Sequence, residues 1–392
     1  MQRLVTPALL SGNEAVAFAV RQCDVDVIAA YPITPQTTIV EKLSSYVAGG
    51  ELRARFISVE SEHSALSACI GASAVGARTF TATSSQGLAL MHEIMYVASG
   101  MRMPLVMTVA NRALSAPINI HGDHSDTMGS RDAGWIQIFC ENVQEAYTRI
   151  IQAYRLAEDS RVLLPVAVNI DGFTLSHCYE RVEPLEDETV QRYLPRRQRP
   201  VLEYENPLTM GAFSLPNTYF EIKMEQAKAL SGSRNVFEEV VRDYPGIKPG
   251  MNVIHVFNPG APVKLVAMGS MAGTLRHAVK TLGLNDCSVV SIKMFRPFPR
   301  EELVATLSEA DLIAVFDRAL SPGAVSNPLS GDIKSMLYDE GLRKTVWNIV
   351  YGLGGREVTM TIVKTLLTEL SAARSKGIIS QRTIYLQGVA TS

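Results

Sequence analysis

Val25-Asp26-Val27-Ile28-Ala29-Ala30-Tyr31 runs straight into Pro32-Ile33-Thr34-Pro35. An apolar run of strand length that stops at a proline predicts a buried strand followed by a stiff loop. Proline fixes its own φ and turns the residue before it away from helix. The same unit repeats outward along the chain. Helical spacing over 38–47 leads to a short strand at 56–59. A small-residue helix over 61–76 leads to a β-branched strand at 77–83. A helix at 88–98 leads to the apolar strand 104–110, and one at 144–158 leads to the strand 162–170. Apolar strands alternating with helices predict a parallel sheet covered on both faces. Ligands of such sheets collect outside the carboxyl ends of the strands. Tyr31, Val59, Thr83 and Ala110 are the predicted ends, and a polar motif follows each.

Composition narrows the function classes. The chain has 392 residues, 47% hydrophobic and 19% charged, which is a core-rich globular composition of two or three domains. Lys+Arg 37 against Asp+Glu 39 gives a net charge of -2, so no nucleic-acid stripe or polybasic membrane patch is expected. No uninterrupted apolar run is long enough to span a bilayer. The apolar part of residues 1–10 is too short for a secretory signal, so a cytoplasmic protein is expected. Cys23, Cys69, Cys140, Cys178 and Cys287 are widely spaced and odd in number. That excludes a zinc ribbon or iron–sulfur cluster built from this chain alone, and they read as reduced core residues.

The character changes over 183–262. A basic, proline-punctuated stretch at 192–199, a turn-rich stretch at 206–217, a helix at 221–244 and the turns Pro245-Gly246 and Pro249-Gly250 read as a connecting arm. The basic stretch is expected to be a solvated surface or a subunit contact. A second α/β unit follows, with strands at 264–268, 289–293, 312–317 and 346–350 and a helix at 358–374. The division is placed at 1–257 and 258–392. Gly269-Ser270-Met271-Ala272-Gly273 could cradle a phosphate. It lacks the dinucleotide spacing and the acidic residue on a next strand, so it is not read as a nucleotide site.

Three residues stand where chemistry is expected. Thr34 offers a hydroxyl in a loop stiffened by two prolines. Glu62, at the start of the small-residue helix, is either a capping carboxylate or a catalytic one. Arg112 follows a buried strand, and a guanidinium there can grip a carboxylate bidentately or form an ion pair with Asp123 or Asp126. The segment 83–87 offers hydroxyls and free N–H groups at a helix start, with Ser85 as its candidate. His121-Gly122-Asp123-His124-Ser125-Asp126 invites a metal, but it is a loop without the i, i+4 order of helical ligands. It is read as a polar lining, with Asp123 or Asp126 orienting Arg112, and no metal is assigned.

Tyr31-Pro32-Ile33-Thr34-Pro35, Val59-Glu60-Ser61-Glu62-His63-Ser64-Ala65 and Asn111-Arg112-Ala113-Leu114 occur in this order. With Phe295-Arg296-Pro297-Phe298-Pro299 and Asp317-Arg318, they make the chain resemble the alpha subunit of the thiamine-diphosphate-dependent 2-oxoacid:ferredoxin oxidoreductases. The resemblance implies an α/β fold of two parallel-sheet domains, a pyrimidine-type thiamine-diphosphate domain and a transketolase C-terminal-like domain. It implies that Glu62, rather than Glu60, faces the aminopyrimidine ring, with Pro32, Ile33 and Ser85 beside the cofactor. Thr34 and Arg112 would hold the oxoacid. An oxalate-specific branch is expected to carry arginine at the position of Thr34, so Thr34 favours a substrate with an uncharged side group.

The chain lacks the Gly-Asp-Gly turn and later Asn that hold the diphosphate and Mg²⁺. A beta subunit would therefore supply that half, with gamma and delta chains completing the complex and [4Fe-4S] clusters in the partners. The implied reaction is coenzyme A-dependent oxidative decarboxylation of a 2-oxoacid, with ferredoxin or an equivalent as acceptor. Pyruvate is the expected substrate; an aryl (phenylglyoxylate), branched or longer 2-oxoacid, and a non-catalytic scaffold, stay open.

Overall fold

The structure is a computed structural model that describes residues 7–246, 252–377, 380 and 382–386. The first six residues and the Pro249-Gly250 turn, both read above from sequence, lie outside the described residues.

Val27–Ala30 is an inner strand of a seven-stranded sheet. In spatial order the strands are Met294–Arg296, Ile136–Phe139, Val166–Asp171, Val106–Asn111, Thr79–Thr83, Val27–Ala30 and Arg55–Ser58. All neighbours are parallel except Met294–Arg296, which runs antiparallel to Ile136–Phe139. The inner strands are largely buried on both faces because helices cover both, as parallel sheets require. From Val27–Ala30 the chain adds a strand on one side, at Arg55–Ser58, and then returns to the other side at Thr79–Thr83. That reversal opens a crevice at the carboxyl ends of the strands.

Side-chain caps start the covering helices where the sequence supplies them. Ser11 and Glu14 form a reciprocal capping box on Gly12–Gln22, Ser61 caps Glu62–Ala74, and Asn142 caps Val143–Ala157.

A second, six-stranded sheet has the order Arg382–Tyr385, Thr345–Val350, Leu312–Asp317, Val263–Met268, Cys287–Ile292 and Ile254–Phe257, antiparallel only at the last pair. The two sheets share a core in which Met128 and Phe139 pack with Val266, Met268 and Phe295. Buried charge also joins them. Lys293 lies 2.7 Å from Glu141 and 2.8 Å from Glu145. Asp171, at the end of a first-sheet strand, accepts from Ser270 N at 2.8 Å and pairs with His124 Nε2 at 2.6 Å and Arg318 Nη1 at 3.3 Å. The glycine turn at 269–273 is therefore filled by the chain's own carboxylate. A Cβ on Gly269 would come within 2.8 Å of Asp171 Oδ2.

Two sequence expectations need correction and a third is extended. The basic stretch at 192–199 also carries intramolecular contacts that the sequence reading did not foresee, at Arg196, Arg197 and Arg199. Arg196 pairs with Asp26 at 2.6 Å, Arg197 with Asp159 at 2.7 Å, and Arg199 donates to the carbonyl of Ser73 at 2.6 Å. These strap the arm to the first sheet's helices. The arm helix begins earlier than expected, at Pro216, and its last turns bury Val236, Phe237, Val240 and Val241 in the first core. Cys178 is exposed, whereas the other four cysteines are buried. Among the described residues no helix is long and apolar enough to cross a membrane.

Candidate functional site

The loop after Val27–Ala30 is held by its carbonyls. Gln36 Nε2 donates to Tyr31 O at 2.9 Å, Asn13 Nδ2 to Pro35 O at 2.8 Å, and Arg112 Nη1 to Thr34 O at 3.0 Å. Proline stiffness alone does not fix this loop; its own Gln36 and two side chains from distant segments, Asn13 and Arg112, complete the task. Pro32 and Thr34 face outward and Ile33 is half-buried. The Thr34 hydroxyl makes no hydrogen bond to any described residue. Thr34 and Arg112 are thus brought together by a direct bond, from guanidinium to backbone carbonyl.

Arg112 is 7% exposed. Its Nε donates to Asn119 O at 2.8 Å, and its backbone N–H donates to Asp126 Oδ2 at 2.9 Å. Neither Asp123 nor Asp126 forms an ion pair with the guanidinium, so that alternative is not realised, and the orienting contact expected of one of them comes from Asp126. Asp126 acts through backbone: its Oδ2 also accepts Ser85 N at 3.0 Å, so it ties the ends of two neighbouring strands. Asn111 Nδ2 donates to its Oδ1 at 3.0 Å. Burial pushes the Asp126 carboxyl up to about 6, although hydrogen bonds from Asn111, Arg112 and Ser85 favour its charged form. Asp123 instead accepts from Ser125 Oγ at 2.6 Å and Gly354 N at 3.0 Å. Ser85 is fully buried, and its hydroxyl donates to Ala113 O at 2.6 Å. That hydroxyl is committed to the protein rather than turned to the crevice.

Glu62 is the first residue of Glu62–Ala74 and is 6% exposed. Its carboxylate makes no hydrogen bond or ion pair with any described residue, so it does not cap its own helix; Ser61 does that. It rests on the next helix, Ser85–Gly100. A Cβ added to Gly87 would lie 2.6 Å from Glu62 Oε1 and 2.4 Å from Thr83 Oγ1. Thr83 Oγ1 is itself buried without a partner. A nearly buried carboxylate and a buried hydroxyl, both unpaired around a missing Cβ, are costly unless something else satisfies them. Such a pair suits the polar edge of a flat heterocycle. Glu60 differs: it is exposed and engaged by Ser64 Oγ. Among the described residues no group of three His, Cys, Asp or Glu side chains is placed to hold a metal.

Asn13 and Gln36 are not singled out by sequence reasoning, and Asn111 enters only as the first residue of the Asn111-Arg112-Ala113-Leu114 motif, with no role assigned. Asn13 carried one signal, its place inside the Ser11–Glu14 capping box; Gln36 carried none beyond adjacency to a motif.

Comparison with known proteins gives the family of the chain. Residues 18–242 match the family model "Pyruvate flavodoxin/ferredoxin oxidoreductase, thiamine diP-bdg", and residues 261–363 match "Pyruvate:ferredoxin oxidoreductase core domain II". The chain is 45% identical to pyruvate synthase subunit PorA of Methanocaldococcus jannaschii, over 95% of this chain and 97% of that one. It is 48% identical to the same subunit of Thermotoga maritima, over 91% and 93%. It is 40% identical to ketoisovalerate oxidoreductase subunit VorA of Pyrococcus abyssi, over 94% of each. In fold it is similar to 2-oxoglutarate:ferredoxin oxidoreductase from Magnetococcus marinus, with TM-score 0.72 and 18% identity, over 93% of this chain and 65% of that one. It also shares its fold with a split-gene transketolase, with TM-score 0.54 and 14% identity, over 94% of this chain and 98% of that one. Over both sheets, the chain belongs to the pyruvate:ferredoxin oxidoreductase family.

Proposed function

We propose that this chain is the alpha-type subunit of a 2-oxoacid:ferredoxin oxidoreductase and holds the aminopyrimidine end of a thiamine diphosphate shared with a partner chain. The unpaired carboxylate of Glu62 carries the reading. When bound, the cofactor supplies a nucleophilic carbon and a sink for the electrons released with carbon dioxide. Glu62 would hold the aminopyrimidine end by a hydrogen bond to a ring nitrogen and keep a proton there, a contact of a kind typically worth 10²–10⁴ in rate. Gly87 lets the ring edge and the carboxylate approach without a side chain between them. Thr34 donates its hydroxyl to an oxygen of the oxoacid. Arg112 presents Nη2, which has no acceptor among the described residues, to the oxoacid carboxylate. Pro32 and Ile33 wall the cofactor, and Ser85 supports that wall from behind.

A 2-oxoacid, coenzyme A and an oxidised acceptor then give acyl-CoA, carbon dioxide and reduced acceptor. Pyruvate is the leading substrate. The match to a ketoisovalerate oxidoreductase subunit favours a branched 2-oxoacid as the second reading. The partners would be a beta chain with the diphosphate and Mg²⁺ site, a gamma chain and a ferredoxin-like delta chain with [4Fe-4S] clusters, all in the cytoplasm. Residues 1–257 would form the pyrimidine-type unit and 258–392 the transketolase C-terminal-like unit, except that Ile254–Phe257 pairs into the second sheet and Met294–Arg296 into the first.

The test is to isolate the complex through a tag on this chain. It is then assayed without oxygen with pyruvate, 2-oxoisovalerate and phenylglyoxylate, coenzyme A and a viologen dye. Dye reduction that needs both oxoacid and coenzyme A is expected, fastest with pyruvate. A complex that contains iron and thiamine diphosphate yet reduces no dye with any oxoacid would overturn the proposal.

A further inference from the structure

We infer that a glycine turn of the second sheet sets the position of Arg112, so that both sheets contribute to the grip on the oxoacid. This rests on the role proposed above for Arg112. The turn is Gly352 to Gly355, with a short 3₁₀ segment over Leu353–Gly355. It clasps the loop 119–123 by three hydrogen bonds. Asn119 Nδ2 donates to Gly354 O at 3.0 Å, Gly354 N to Asp123 Oδ2 at 3.0 Å, and Gly355 N to Gly122 O at 2.8 Å. A fourth bond, from His124 N to Arg318 O at 2.8 Å, anchors the end of the loop to the same sheet.

The clasped loop reaches Arg112 directly. Asn119 O accepts Arg112 Nε at 2.8 Å, and His121 O accepts the N–H of the next residue, Ala113, at 3.1 Å. Arg112 in turn holds the carbonyl of Thr34. A continuous series of bonds therefore runs from the second sheet to both oxoacid-binding candidates. Apolar burial does not hold this loop: Ile118 is 80% exposed and Ile120 is 43% exposed. Besides a ring contact of His121 with Phe173 and local hydrogen bonds at Asn119 and Asp123, the bonds from the turn hold it.

The glycines are required by space as well as by conformation. Gly354 and Gly355 have φ of 56° and 77°, a region that other residues rarely adopt. A Cβ on Gly354 would lie 2.4 Å from Asn119 Nδ2, and one on Gly355 would lie 2.3 Å from His121 Cβ. Asn119 is thus a positioning residue that acts on the oxoacid only through Arg112.

The experiment measures steady-state kinetics of the assembled complex carrying Asn119→Ala, Gly354→Ala or Arg112→Lys. Misplacement of a binding group by about 1 Å can reduce kcat/KM roughly 10²-fold. For Asn119→Ala and Gly354→Ala the expected result is a KM for pyruvate raised roughly 10- to 100-fold, with kcat and thiamine-diphosphate affinity near wild type. Asn119→Ala removes atoms without adding any, so it reads the effect even if Gly354→Ala fails to fold. A lowered Tm with unchanged KM in Asn119→Ala, while Arg112→Lys raises KM, overturns the inference and leaves the role of Arg112 standing. An unchanged KM in Arg112→Lys overturns both.

Discussion

Gly87→Ala probes the site most sharply, because it adds one methyl group at a defined point. That methyl carbon would sit 2.6 Å from Glu62 Oε1, 2.8 Å from Glu62 Cγ and 2.4 Å from Thr83 Oγ1. Ordinary contact begins at 3.4 Å, so the Glu62 oxygen must retreat by about 0.8 Å. A shift of that size at a proton-handling carboxylate corresponds to a loss of roughly 10²-fold in kcat. The stability effects partly offset, leaving a net cost of about 0–2 kcal/mol. Alanine gains about 1 kcal/mol over glycine inside a helix. Overpacking costs about 1–3 kcal/mol. Tm is therefore expected to move by only a few degrees while turnover collapses.

Gly232→Ala serves as the control, since its added Cβ meets nothing within 4 Å on the exposed face of Pro216–Arg242. It should keep full activity. The assay is anaerobic dye reduction by the assembled complex at saturating pyruvate, with thermal unfolding alongside. Wild-type turnover in a folded Gly87→Ala complex would refute the claim that the Glu62 carboxylate must lie where it does.

Asn13→Ala leaves the carbonyl of Pro35 without its buried donor, which should cost about 1–3 kcal/mol. Thermal unfolding should record the loss, and kcat/KM should fall as the 31–36 loop loosens; a loss of stability alone would confine Asn13 to folding. Asp171→Asn should destabilise the chain by about 3–5 kcal/mol near neutral pH, because it breaks a buried charge cluster. Burial opposes the charge on Asp171, but Arg318, His124 and Ser270 outweigh it and hold the carboxyl well below the usual carboxylate range. A depressed carboxyl stabilises the fold above its unfolded pKa and loses that contribution as pH falls through the folded value. The gap between wild type and Asp171→Asn should therefore narrow from about pH 4 downward; chemical denaturation across pH measures it, and a gap independent of pH would contradict the assignment.

Most of the parallel framework was legible because its strands are buried on both faces and end at turn residues. Leu312–Asp317 was read with its observed bounds, and Val27–Ala30 to within two residues at its start and one at its end. Ile136–Phe139 was not read as a strand, since four residues beside Trp135 are too few to show a period. Met294–Arg296 was hidden for a different reason. It crosses from the second unit to the edge of the first sheet, and a long-range pairing of three residues leaves no local signal. In the candidate site, Glu62, Thr34 and Arg112 stood out because each follows a strand end. The residues that hold their surroundings did not stand out, because an Asn or Gln that binds a distant carbonyl looks like any other polar residue. The contacts of Arg196, Arg197 and Arg199 were illegible for the same reason, since their acceptors lie far away in sequence.

The central claim concerns a proton held at Glu62. Its most direct measurement is the rate of hydrogen–deuterium exchange at the reactive carbon of thiamine diphosphate in the assembled complex, wild type against Glu62→Gln, with cofactor occupancy determined in both. The account predicts an exchange rate lower by roughly 10²–10⁴ in Glu62→Gln at equal occupancy. Exchange at the wild-type rate with the cofactor fully bound would contradict it.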